Sequence, residues 1–256
     1  MAAITCPLVI YNGQSFFSDS LNDFLVLVFR GIVSTGAAVL MYNSLNFLPL
    51  GDATCLFMTE TILTTILAFI ILREKVNFMD LLAIMLAMTG IILVGRPPFI
   101  FGSENNVNTS NQVIGSLMAL GSSVFNALTY IITRKITYIH YSVVIFQYSV
   151  IQMIVLCIYV FSQGENILPD CGTTSYYVLA IGITSFLCQY FSTNALYVED
   201  AGSFSLIRSF QIVLSYIYQV AILGEVVSLL SGLGALFLSS AVVIKACLKW
   251  YTEKPY

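Results

Sequence analysis

Residues 29–76 read FRGIVSTGAAVLMYNSLNFLPLGDATCLFMTETILTTILAFIILREKV, two apolar blocks joined by a short connection around Gly51. A shift of 151 positions aligns this stretch, without a gap, with residues 180–227, AIGITSFLCQYFSTNALYVEDAGSFSLIRSFQIVLSYIYQVAILGEVV. Twelve of the 48 aligned positions are identical, whereas apolar composition alone would give about four. The chain therefore contains an internal duplication. Its most informative identities are Gly31/Gly182, Asn43/Asn194, Gly51/Gly202 and Glu74/Glu225.

The composition around this repeat excludes a soluble globular protein. Of the 256 residues, 58% are apolar and 9% are charged, and the mean hydropathy is +0.90. Soluble domains carry about 25% charged residues, so these values predict a polytopic all-α membrane protein whose surroundings are the lipid bilayer. A net charge of -3 gives no reason to expect a nucleic-acid partner. Six scattered cysteines and the single His140 predict neither a metal site nor a cofactor.

Apolar segments long enough to cross a bilayer occur eight times, and each has about the 20 residues that a crossing helix needs. Residues 1–11 are apolar too but about half that length, so they predict one partial N-terminal span. Continuously apolar blocks exclude the alternating strands of a membrane barrel. The predicted full spans are 26–48, 53–72, 77–95, 112–133, 142–163, 175–197, 203–223 and 226–248.

The basic residues predict the orientation of these spans. If the spans alternate, eight Lys and Arg residues fall on one side and only Arg96 falls on the other, so the first side is cytosolic and includes the C-terminus. The two aligned segments then start on opposite sides of the membrane, which makes the repeats inverted. Arg73-Glu74-Lys75 is cytosolic, whereas its counterpart Gly224-Glu225-Val226 lacks both cations. Inverted repeats are typical of transporters that bind substrate near the bilayer midplane and work by alternating access.

These assignments divide the chain into four predicted regions. Residues 1–98 form an N-terminal repeat that is truncated at its start, and residues 112–248 form the C-terminal repeat. Between them, 99–111 is an extracytosolic loop, and 249–256 is a cytosolic tail. The loop contains the sequon Asn108-Thr109-Ser110, which makes Asn108 a glycosylation candidate; the alternative is an unmodified loop.

Several motifs resemble a known family. LNFLPLGDAT at 45–54, LREK at 72–75, Gly90 and RPPF at 96–99 resemble the EamA-type repeat of the drug/metabolite transporter superfamily. Further motifs look most like solute carrier family 35, subfamily G: RPPFIFG at 96–102, LPDCG at 168–172 and Lys249-Trp250-Tyr251.

The resemblance implies a carrier of a small polar metabolite in the plasma membrane or in an endomembrane such as the endoplasmic reticulum or Golgi. Family members have ten helices, five in each repeat. This chain matches them from the end of the second helix onward. It also carries Glu60-Thr61 where relatives commonly have a small residue and proline.

Two ionisable residues inside spans are the strongest candidates for a substrate or coupling site. Glu60 lies within a few ångströms of the midplane of its span, where acids are costly and usually functional. It is a candidate for proton coupling or substrate contact, or a neutral side chain bonded to a helix neighbour such as Thr64. Arg208 offers a fixed cation to an anionic substrate, unless it extends to the cytosolic interface.

Four polar residues extend this candidate site. Gln211 and Gln219 follow Arg208 at helical spacing on one stripe, and Gln211 is the repeat counterpart of Glu60. Asn43 and Asn194 are repeat counterparts that either contact substrate or join helices by hydrogen bonds.

The sequence therefore predicts a transporter of a small polar metabolite, with an organic anion as the favoured substrate if Arg208 lines the cavity. The alternative is a truncated, transport-incompetent membrane interaction protein. No nucleophile and base pair, phosphate loop or metal spacing supports an enzyme. Small residues on the last span, among them Gly232 and Gly234, pack within the monomer or against a second copy in a homodimer.

Overall fold

A computed structural model describes residues 2–13, 20–48, 50–74, 78–95, 109–163, 173–214 and 229–252. Regular structure in these ranges is helical and includes no strand, so the predicted all-α class is confirmed. In lipid, a helix is the element that satisfies its own backbone groups. The described α-helices are α1 Ala2–Tyr11, α2 Leu21–Ser44, α3 Leu50–Phe57, α4 Glu60–Leu67, α5 Phe78–Gly95, α6 Thr109–Lys135, α7 Tyr141–Gln163, α8 Thr173–Val198, α9 Ala201–Ser209 and α10 Leu229–Thr252. A π-helical turn, Ala68–Leu72, continues α4.

In the ranges that the structure describes, each predicted span overlaps one or more of these helices. Within the described residues, three helical segments are long and apolar enough to cross a membrane, Leu21–Ser44, Val113–Lys135 and Tyr141–Ser162. Four shorter apolar helical segments accompany them, Glu60–Leu72, Phe78–Leu93, Ala201–Leu214 and Gly232–Lys245. The total of eight spans remains a prediction, because residues 215–228 lie outside the described ranges.

Two of the predicted spans are interrupted within the described residues. In the span 53–72, α3 ends at Phe57 and α4 begins at Glu60, with a turn at Met58 and Thr59 between them. In the span 203–223, α9 ends at Ser209, a turn follows at Phe210, and helix resumes over 211–214. The apolar pattern gave no sign of these interruptions, because a hydropathy window does not sense hydrogen-bond register.

The two interruptions occupy equivalent positions of the internal repeat. Thr59 N–H donates to the Leu56 carbonyl at 3.2 Å, and its counterpart Phe210 N–H donates to the Ile207 carbonyl at 3.0 Å. The next pair is also matched, because Ile62 and Val213 donate to the carbonyls of Thr59 and Phe210 at 3.1 and 3.0 Å. These bonds span three residues instead of four, which tightens the helix locally. The duplication is thus visible in the backbone as well as in the sequence.

The chain divides into two compact units. Unit 1 comprises Met1–Gly36 and Ile132–Glu199, and unit 2 comprises Ala37–Ile131 and Asp200–Tyr256. Each unit contains residues from both predicted repeats. The boundary lies within α2 and within α6, so both helices contribute to both units.

Unit 1 contains α1, α7, α8, the first part of α2 and the end of α6. Its described core includes Leu27, Ile136 and Val144, which are nearly inaccessible to solvent. Outside the predicted spans, the Tyr138 hydroxyl donates to Asp23 Oδ1 at 2.5 Å. This hydrogen bond raises the pKa of Tyr138 above its ordinary value. The contact joins the connection after α6 to the start of α2.

Unit 2 has its core where α5 packs along α10, with α9 beside them. The approach of α5 to α10 is closest at Gly90. A Cβ built there would lie 2.7 Å from the carbonyl oxygen of Gly234 and 2.8 Å from Leu238 Cγ. Small residues at a helix interface allow this approach. Gly234 of the small-residue face therefore packs within the monomer.

We expect Gly90→Ala to destabilise the protein by about 1–3 kcal/mol, because the added methyl would meet backbone atoms of α10. Gly182→Ala is the matched control, since Gly182 also lies inside a helix and has nothing within 4 Å of a built Cβ. Thermal unfolding of both variants in detergent measures the difference. If Gly90→Ala gained stability as an ordinary helical glycine-to-alanine change does, the close approach would be contradicted.

Candidate functional site

Glu60 occupies the most unusual position in unit 2, at the first residue of α4 and directly after the interruption. The polar run Thr59-Glu60-Thr61 breaks the apolar pattern, and Thr59 turns its hydroxyl to the Leu56 carbonyl at 2.7 Å. Side-chain bonds of this kind compete with helical backbone bonds. Glu60 is 1% exposed. A carboxyl group is thereby buried at a point where the helix is irregular.

Arg208 provides the charge that compensates Glu60. Its Nη1 lies 3.2 Å from Glu60 Oε1, which is both a hydrogen bond and an ion pair. Arg208 stands one residue before the end of α9 and retains 28% of its side-chain accessibility. The pair is therefore asymmetric, with a buried anion and a partly accessible cation.

Helix α6 completes the cluster with Tyr130. The Tyr130 hydroxyl donates a long hydrogen bond of 3.5 Å to the same oxygen, Glu60 Oε1. The Arg208 Cζ atom lies 5.4 Å from the centre of the Tyr130 ring, within the range of a cation–π interaction. Phe204 packs edge to face against Tyr130 at 5.2 Å. The Tyr130 and Phe204 rings thus orient the Arg208 guanidinium. The Asn126 amide lies beside the Glu60 carboxyl group.

The Glu60 carboxyl group is only partly satisfied. Its second oxygen, Oε2, is buried and accepts no geometrically good hydrogen bond within the described residues, and the same holds for Thr64 Oγ1. The Glu60–Thr64 bond that was one alternative from sequence is therefore not formed. A buried carboxylate oxygen without such a bond raises the free energy of the charged form. The Glu60 carboxyl group is therefore suited to take up a proton when it loses its ionic partner, Arg208.

The helices that carry the pair cross closely. Thr61 Oγ1 donates to the Ser205 carbonyl at 3.5 Å, and a Cβ at Gly202 would lie 3.3 Å from Thr65 Oγ1. Gly202 is one of the glycines repeated between the two halves of the sequence. Its small size permits α9 to approach α4, and this approach brings Arg208 to Glu60.

The other predicted site residues have less defined surroundings. Gln211 is exposed, and its Nε2 lies 4.0 Å from Met58 Sδ. Asn43 and Asn194 donate to the carbonyls of Val39 and Tyr190, four residues earlier in their own helices, at 2.9 and 2.8 Å. These two bonds lie at equivalent repeat positions. Gln219 and Asn108 lie outside the described residues.

Sequence reasoning missed a second polar cluster in unit 2. Glu74 Oε1 accepts a hydrogen bond of 3.2 Å from the N–H of Ala201, the first residue of α9. The Lys245 Nζ atom forms an ion pair with Asp80 Oδ1 at 2.5 Å. With Asp200, these side chains line a pocket of about 30 Å³, which has room for about two water molecules. The identity of Glu74 with Glu225 in the repeat was the sequence signal for this cluster. The position of Glu74 at the start of α9 is favourable because the dipole of a helix stabilises an acid at its N-terminus.

The chain matches the model of the EamA-like transporter family over residues 1–96 and 113–245. It is 31% identical to human "Solute carrier family 35 member G1" over 252 residues, which cover 97% of this chain and 69% of that protein. The mouse protein of the same name is 32% identical over 227 residues, 87% of this chain and 61% of that protein.

The fold is also similar to that of a solved protein structure. A crystal structure superposes with a TM-score of 0.79, covering 96% of this chain and 85% of the other, at 15% sequence identity. At that identity the likeness bears on the fold alone. The family-model match covers both segments on which the sequence places the duplicated repeats.

Proposed function

The chain belongs to the EamA-like transporter family, and from that premise we propose that it carries a small organic anion together with a proton by alternating access. It is an integral membrane protein, and its relatives are named as transporters. We place the substrate and coupling site at Glu60, Arg208 and Tyr130. The observation that carries this proposal is the ion pair of 3.2 Å between Glu60 and Arg208.

The position of the pair supports a binding role. Both residues flank interruptions that occur at equivalent points of the two repeats. Transporters commonly place substrate and ion sites at discontinuous helices, where backbone groups leave the regular hydrogen-bond ladder. Ionisable residues within spans are rare and usually lie on substrate or proton pathways.

The pair also provides a way to couple a proton to an anion. With Glu60 ionised, Arg208 is neutralised internally and binds an anionic substrate weakly. When Glu60 takes up a proton, the guanidinium is released and can bind a substrate carboxylate with two parallel hydrogen bonds. In both states the site carries no net charge, which limits the cost of moving it through the membrane interior.

Proteoliposomes containing the full 256-residue chain test this proposal. We expect saturable uptake of one or more members of a labelled organic-anion panel, faster when the outside is acidic and the inside alkaline. A neutral analogue of each transported anion is the control. Uptake of the neutral analogue at the same rate would contradict anion recognition, and absence of all uptake from folded protein would favour the transport-incompetent interaction protein.

A further inference from the structure

A buried cation lies in unit 1. Arg30 stands nine residues after the start of α2 at Leu21, about 13 Å along the helix axis. It is 2% exposed. The sequence places it near the cytosolic end of a span beginning at 26, whereas α2 begins five residues earlier, and its side chain is packed inside unit 1.

Neutral side chains surround this guanidinium. Arg30 Nε donates to Thr133 Oγ1 at 2.6 Å, and Cζ lies 5.5 Å from the centre of the Tyr148 ring. Tyr148 and Tyr197 are the titratable neighbours that interact with it electrostatically. Thr133 and Tyr148 lie on different helices, α6 and α7, so Arg30 is contacted from two sides. Tyr197 of α8 is nearby, and its hydroxyl donates to the Ile139 carbonyl at 2.5 Å.

Arg30 differs from three other cations of the described chain in the groups that it contacts. Arg208 has Glu60, and Lys245 has Asp80. Arg134 donates to the carbonyls of Leu196 and Tyr197 at 3.1 and 2.9 Å, near the C-terminus of α8. Within the described residues, no carboxylate forms an ion pair with Arg30, and its hydrogen bond to Thr133 uses Nε alone. The acid at the start of the same helix, Asp23, accepts from Tyr138.

This arrangement has an electrostatic consequence. A guanidinium does not lose its proton at physiological pH, so burial in a span leaves a full positive charge in a medium of low polarity. Removing such a charge from water costs several kcal/mol unless an anion compensates it. The Nη1 and Nη2 groups provide four N–H donors in a planar fork that matches two oxygens of a carboxylate or phosphate.

We propose that Arg30 is the centre of an anion-binding site in unit 1, which takes a carboxylate or phosphate group on Nη1 and Nη2. Thr133 fixes the plane of the guanidinium through Nε, Tyr148 covers one face, and the hydroxyl-bearing neighbours contribute no negative charge. This site goes beyond the proposed function, because its existence does not depend on what Glu60 and Arg208 do.

The test is thermal unfolding of the full chain in detergent with increasing sodium acetate or sodium phosphate at constant ionic strength. The background is Glu60→Gln/Arg208→Gln, which removes the other ion pair and its anion affinity. We expect a saturable rise in Tm of about 5–10 °C when the anion reaches about 100 times its Kd. Adding Arg30→Gln should abolish that rise. Acetate and phosphate arms distinguish a carboxylate from a phosphate group as the preferred ligand.

The same measurement separates an anion site from a purely structural arginine. Because Arg30→Gln removes an uncompensated buried charge, we expect its Tm without anion to equal or exceed that of the background. If Arg30→Gln lowered Tm by the same amount with and without anion, or if it retained the rise, the site would be excluded. Should Arg30→Gln fail to fold, Arg30→Lys keeps the charge without the fork; an unchanged acetate Kd in that variant would equally overturn the proposal.

Discussion

Uptake of the transported anion is expected to fall by about 30- to 1,000-fold in kcat/KM when Arg208 is replaced by glutamine, because this removes a charge-assisted contact of about 2–4 kcal/mol with the substrate. Arg208 is the described cation that is both paired with the intramembrane acid and partly accessible. Initial uptake rates into proteoliposomes, normalised to folded protein, measure the effect. Unchanged uptake in Arg208→Gln would exclude Arg208 as the substrate cation.

Loss of folding must be separated from loss of binding in this variant. Arg208→Gln leaves Glu60 buried without its ionic partner, and breaking a buried pair on one side commonly costs about 3–5 kcal/mol. The double variant Glu60→Gln/Arg208→Gln restores neutrality and should recover the wild-type elution profile without recovering anion uptake. Arg208→Lys keeps the charge and loses the planar fork, so we expect a smaller reduction, mainly in KM.

The helical class and most span boundaries were accessible from the sequence because long apolar blocks have one solution in lipid. The span predicted at 142–163 is helix α7, Tyr141–Gln163, and the span predicted at 175–197 is α8, Thr173–Val198. The internal repeat was accessible too, since polar identities such as Asn43/Asn194 are improbable by chance. For these features, the sequence pattern and the physics of the bilayer both predict the same helices.

The helix interruptions and side-chain pairs inside the spans could not be predicted from the sequence. Hydropathy averaged over about 20 residues treats Thr59-Glu60-Thr61 as a small reduction in an apolar block, whereas the backbone responds to them with a turn. The partner of Glu60 lies 148 residues away, and the repeat pointed to Gln211, one helical turn beyond Arg208. Pairing depends on how α4 and α9 cross, which is set by Gly202 and Thr65 and not by any local pattern.

The surroundings of Arg30 were also inaccessible to a hydropathy average. A basic residue near the end of an apolar window is normally counted as an interfacial marker of orientation. The window discards Leu21-Asn22-Asp23 because these residues lower the average, yet α2 begins at Leu21. The start of α2 is tied to Tyr138, 115 residues away, through the contact with Asp23, and a hydropathy average contains no such tertiary contact.

The two interruptions match in their backbone hydrogen bonds but not in charge, and in the proposed mechanism this difference sets the number of coupled protons. Glu60 corresponds to Gln211, so only one of the two interruptions carries a group that can take up a proton. A single acid predicts one proton for each anion. For a monovalent substrate the exchange is then electrically neutral, and membrane potential should have little influence on its rate.

Replacing Glu60 with glutamine should therefore abolish the response to a pH gradient while leaving exchange of the anion between the two sides intact. In the wild-type protein each pH unit, acidic outside, supplies about 1.4 kcal/mol per coupled proton and about tenfold accumulation. Glutamine cannot be protonated and leaves Arg208 permanently available, so Glu60→Gln should accumulate no anion against its gradient and should bind it at least as tightly at neutral pH.

Asp80→Asn is the matched control, because Asp80 is another carboxylate of unit 2 that is paired with a cation, Lys245. Asp80 stands in the first turn of α5 and is not among the residues that contact Glu60, so its amide variant should keep the accumulation driven by protons even if stability falls. Accumulation and counterflow of one labelled anion, measured in parallel for both variants, separate the alternatives. Gradient-driven accumulation that persists in Glu60→Gln, or that disappears equally in both variants, would remove Glu60 from the coupling step and leave the ion pair a role in holding α4 against α9.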